Sequence, residues 1–176
     1  MIEQNDYLHP SQALIKLLCD SEEDLMQRIL DYAKKYDYAR YTSTLFEPWR
    51  LSISGLSEQM LNALKTEPVI PELGPDEDYS KDPIASFGIY EGRLHRERGI
   101  SISMFLGLMK YYHQAYDELV DDSNLDQKQK EWGKAFIRRF FDRVEIGISA
   151  EWSRDVSEDR LEELRRKNRY LTNEKN

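Results

Sequence analysis

A chain of 176 residues with 40% apolar and 33% charged residues has the composition of a helix-rich globular protein, long enough for one domain that buries about two-thirds of its unfolded surface. Lys and Arg number 25 against 33 Asp and Glu, and the resulting net charge of −8 excludes a fold-wide surface for nucleic acid or anionic membrane. The single cysteine, Cys19, excludes an internal disulfide, and no apolar run approaches the ~20 residues of a membrane span.

The opening "MIEQNDYLHP" is polar and acidic, so a reducing, cytoplasmic setting is expected. From there the apolar period is helical almost throughout. A short helix is predicted from Pro10, the favoured first-turn residue, over "SQALIKLL". Ser21, followed by Glu22, Glu23 and Asp24, reads as the cap of a second helix with Leu25, Ile29, Tyr32 and Tyr36 on one face. Pro48 suits the first turn of a third, whose buried stripe would be Trp49, Ile53, Leu56, Met60 and Leu64. Residues 66 to 81, "TEPVIPELGPDEDYSK", carry three prolines and an acidic cluster, which predicts an exposed loop rather than a linker between domains.

Asp82 and Pro83 restart a helix that ends in "RLHRERG", with basic side chains on the negative end of its dipole and Gly99 as a left-handed stop. Ser101 or Ser103 caps the next, where Ile102, Phe105, Met109, Tyr112, Tyr116 and Leu119 alternate three and four residues apart. After "DDSN" a longer helix carries Trp132, Phe136, Phe140, Val144, Ile148 and Trp152. Spaced by fours, these positions drift around the helix and need more than one neighbour to cover them. Ser157 either caps a fresh helix or marks a change of phase in a continuous one. The fold expected is an all-α bundle of six or seven helices over residues 1–156, with a protruding C-terminal coiled-coil helix over residues 157–176. Globin-like crossings are one arrangement the pattern allows.

Leu161, Leu164, Asn168 and Leu171 recur at spacings of three, four and three, with almost nothing else apolar nearby but Tyr170. An asparagine at a seam position favours two parallel strands in register, so this heptad seam predicts a homodimer. It is too short to hold a dimer alone, and would extend a larger interface or begin a longer coiled coil. Packing of the same leucines on the core is the plain alternative.

Arg93, His95, Arg96 and Arg98 crowd one helix end. His95, Arg96 and Arg98, with Tyr112 and His113 on the following helix, are the candidate ligand-binding residues. Such a cluster suits an anion or carboxylate pocket with a titrating or ligating histidine, and equally suits dipole complementarity with surface ion pairs. Along a helical hairpin His95 and His113 fall too far apart to share a metal ion, so no metal is expected. No cofactor is predicted; either histidine is able to ligate a haem, for which nothing else in the sequence speaks. Gly88 and Gly92, four apart, allow a close helix crossing. "DEDYSKD" lacks the glycine and the final glutamate of a calcium loop. There is no phosphate loop, zinc-protease motif or nucleophile elbow, so catalysis by this chain is not expected.

The stretch "HRERGISISMFLGLMKYYHQAY", residues 95–116, resembles an "H-R-x-R-G-[IV]-[ST]…F-L-G-L-x-K" segment of the N-terminal helical sensor regions of bacterial sensor histidine kinases. The tail "NRYLTNEKN" is similar to the linkers that lead into their PAS domains or dimerisation helices. Residues 1 to 80 lie outside the resemblance. It implies the input domain of a two-component sensor kinase, responding to a small-molecule signal and acting through paired C-terminal helices on modules beyond Asn176. An "H-E-L-R-T-P" phosphoacceptor box and a "D-x-G-x-G" nucleotide box are both absent, so kinase activity would belong to the parent protein. A non-catalytic dimeric adaptor and a haem-dependent gas sensor are the alternatives left open.

Overall fold

The computed structural model describes the backbone of residues 8–39 and 46–173, and side chains within 8–39 and 49–153. Among these residues there are six α-helices, one short 3-10 turn and no strand. The helices are α1 (Pro10–Asp20), α2 (Glu22–Lys35), α3 (Phe46–Thr66), α4 (Pro83–Glu97), α5 (Ile102–Asp122) and α6 (Gln127–Asn173), with the 3-10 turn at Tyr79–Lys81.

Their ends follow local chemistry. His9 caps α1 by accepting the Ser11 amide at Nδ1, and Pro10 opens the helix. Asp82 accepts the Ala85 amide ahead of Pro83, and Ser101 accepts that of Met104, so α4 and α5 each begin on a side-chain cap. Gly99, at φ 79°, takes the left-handed turn between them. Ser21 precedes α2 but makes no side-chain cap bond.

The core is continuous across all six helices. The stripe expected on α3 is buried at every position from Trp49 to Leu64. On α2, Leu25 and Ile29 are buried, whereas Tyr36 lies outside the core and stacks on Tyr111 at 4.4 Å. Helix α6 is the axis of the molecule. At 47 residues it is ~70 Å long, and it runs unbroken through Ser157, so no fresh helix starts there. Its drifting apolar stripe meets different partners in turn: Gly133 faces Leu14 of α1 and Val120 of α5, while Gly147 faces α4.

At the α4–α6 crossing the backbones of the two helices come into direct contact. A β-carbon on Gly88 would lie 2.9 Å from the Val144 carbonyl carbon and nearer still to its oxygen. One on Gly147 would stand in the same relation to the carbonyl of Ala85. At Gly92 it would meet Trp152 at 3.1 Å. The side chains that ordinarily hold helix axes ~8–10 Å apart are missing at these turns, so backbone rests on backbone. Just before Val144, Arg143 ties the proline-rich loop down. It pairs with Glu77, reaches Asp82 Oδ1 at 3.1 Å, donates to the Glu72 carbonyl and lies over the Tyr79 ring. The loop is exposed as expected, and Arg143 anchors it to α6.

Because the groups opposite Gly88 and Gly147 are backbone, they cannot swing aside. Gly88→Ala and Gly147→Ala should each cost about 3 kcal/mol or more. Gly55→Ala, where the nearest atom is on Phe87 at 3.9 Å, should instead gain about 0.5–1 kcal/mol from helix propensity. Urea unfolding of the three variants checks this; equal effects would contradict it.

Candidate functional site

Helices α3, α4 and α5 do not close on one another completely. Between them lies a cavity of about 740 Å³. Its walls are Trp49 and Leu56 of α3, Phe87 and Leu94 of α4, and Phe105, Leu108 and Met109 of α5. Val144 and Ile148 of α6, both fully buried, line its deep side. Leu51 and Tyr90, large and exposed, stand at its mouth.

The polar groups in this wall are few. Tyr112 is buried with its hydroxyl bonded to Ser52, and desolvation pushes that phenol well above the ordinary tyrosine range. Glu91, half-buried, is raised by burial against the nearby Arg98 charge. His95 stacks on Phe105, ring centroids 4.2 Å apart. Its Nδ1 lies 2.8 Å from the Glu91 carbonyl oxygen, which can only accept. The proton therefore sits on Nδ1 and leaves Nε2 with a lone pair. Burial holds the imidazole below its usual pKa, so it is neutral at pH 7.

The five predicted ligand residues are divided by this geometry. His95, Arg98 and Tyr112 line one cavity, although they come from two helices. Arg96 turns away from it: with Arg93 it holds the carboxylate of Glu151 on α6, at 3.3 and 3.2 Å. Glu151 is 2% exposed, so the carboxylate that the arginine cluster captures is the protein's own. His113 is elsewhere again, stacked on Phe141 at 4.9 Å with Nε2 3.6 Å from Asp117. Burial lowers the His113 pKa and raises that of Asp117. No group of three metal-ligating side chains occurs among the described residues.

Sequence reasoning missed two contributions. Glu151 follows Val144 by seven on the stripe of α6, so an acid at an apolar position was the signal for a buried pair. The α3 wall, Trp49 and Ser52, had no such signal, since a gap between helices leaves no mark in either helix. The backbone of α6 is helical through Leu161, Leu164, Asn168 and Leu171, but their side chains lie outside the described residues, as does any partner strand. No helix among the described residues is long and apolar enough to cross a membrane. The chain matches no family model, and no curated protein and no solved structure is significantly similar to it.

A histidine that protonates less readily when folded makes the unfolded chain the stronger proton binder just below pH 6.5. The contribution of His95 to stability should therefore fall as pH is lowered through about 6.5. His95→Gln should reduce that fall, and His113, depressed in the same direction, should keep the remainder. Melting temperatures on either side of that pH check it; an identical slope in His95→Gln would contradict the assignment.

Proposed function

We propose that the chain is the ligand-sensing input domain of a cytoplasmic sensor histidine kinase, a non-catalytic module whose α6 passes the signal on. One observation carries this. Val144 and Ile148, which line the cavity, sit on the same uninterrupted helix that continues to Asn173. An occupant that prefers one spacing of α3, α4 and α5 acts directly on α6, with α4 locked to it at Gly88 and Gly147. Such a preference shifts a helix only if the two packings bind the occupant differently. Displacements of 1–2 Å between packed helices are the ordinary scale of this response. The likeness of residues 95–116 to sensor regions of histidine kinases adds support, because that stretch includes His95, Arg98, Phe105 and Tyr112 of the cavity wall. In this proposal Leu161, Leu164, Asn168 and Leu171 pair across a homodimer and relay the shift to kinase modules in the parent.

One observation favours a haem-binding gas sensor as the second candidate: the free Nε2 lone pair of His95 on an apolar cavity wall. A Soret band after reconstitution with haem, lost in His95→Ala, would establish it. A dimeric adaptor without a ligand would keep the seam but leave the cavity without a purpose.

The sensing relay is tested by joining the chain, in heptad register, to the dimerisation and catalytic parts of a sensor kinase. Met109→Trp, which partly fills the cavity, should change autophosphorylation by about five- to a hundredfold, the usual size of a coupling between sites. Asn168→Pro with Leu171→Pro should remove that dependence. Output that ignores both changes would rule the relay out.

A further inference from the structure

We propose, building on the sensing function above, that the cavity takes a small amphipathic acid: an apolar body among the side chains of α3 and α5, and one anionic head at Arg98. The volume of about 740 Å³ falls within the range of about 300–1,000 Å³ that accommodates drug-sized molecules. The inner end makes no polar demand, because the Tyr112 hydroxyl already bonds Ser52 and the remaining deep groups are hydrocarbon.

Charge selects the head. Among the described residues several cations have acidic partners: Arg28 has Asp24 and Asp122, Arg143 has Glu77 and Asp82, and Lys134 has Asp121. Arg98 makes no ion pair among the described residues, and it lies on the cavity wall. Its closest rival for a ligand's charge is Glu91 on the same wall. Burial disfavours the ionised form of that carboxyl, whereas a guanidinium stays charged and offers several donors to an oxyanion. A cationic ligand would face the Arg98 guanidinium on that wall. A neutral one would leave the arginine unused.

Two fluorescent probes with one ring system test this: 1-anilinonaphthalene-8-sulfonate carries an anion, and N-phenyl-1-naphthylamine does not. The folded protein should bind the sulfonate about tenfold more tightly than the amine. Arg98→Gln should remove the difference while leaving amine binding unchanged, and Met109→Trp should weaken both. Thermal melting of each variant confirms that it is folded. Equal affinity for the two probes, or sulfonate binding untouched by Arg98→Gln, would overturn the anionic head. Binding of both untouched by Met109→Trp would overturn the cavity as their site. These failures are separable from failure of the relay. If the sulfonate binds through Arg98 yet leaves the kinase fusion unaffected, the ligand class stands and the sensing role falls. If Met109→Trp alters the fusion while neither probe discriminates, the reverse holds.

Discussion

Where α4 crosses α6, two backbones touch, and at Gly88 and Gly147 only a hydrogen fits between them. Everything else in the molecule is arranged around that contact. On either side of it, α6 carries side chains that lock the pair further. Arg143 draws in the loop ahead of α4, Glu151 receives Arg93 and Arg96, and Trp152 covers Gly92. Steric fit supplies the precision here. The buried Glu151 supplies specificity, since a carboxylate taken from water without its arginines would cost several kcal/mol.

The cavity lies beside the same contact, with Val144 and Ile148 of α6 and Phe87 of α4 in its wall. Trp49, Phe105 and Met109, all buried, form part of its lining. Burial raises the pKa of Glu91 and lowers that of His95, and Arg98 carries a guanidinium charge on the same largely apolar wall.

Much of this fold was legible because its instructions are local. Pro10, Asp82 and Ser101 mark helix starts by capping chemistry, and Gly99 marks a stop, as the structure confirms. The four-residue drift on α6 correctly announced several neighbours, and the pair Gly88 and Gly92 announced a close crossing. What the pattern could not supply was pairing. The basic cluster looked like one ligand site, yet Arg96 and Arg98 point to different places because α6 brings Glu151 beneath one of them. His113, eighteen residues after His95, belongs to a separate surface because α4 lies chiefly against α6. Which helix a given face meets depends on long-range packing, and no spacing within one helix encodes it.

Native-state hydrogen exchange tests most directly the claim that the α4–α6 crossing is the frame on which a deformable cavity is hung. Amides of residues 85–95 and 140–152 should exchange slowest, by global unfolding only, while those of α3 from residue 49 to 56 open at lower free energy and become protected when the cavity is occupied. If α4 instead opens locally while α3 and α5 hold to the global limit, the frame lies elsewhere and the account of how α6 is moved is wrong.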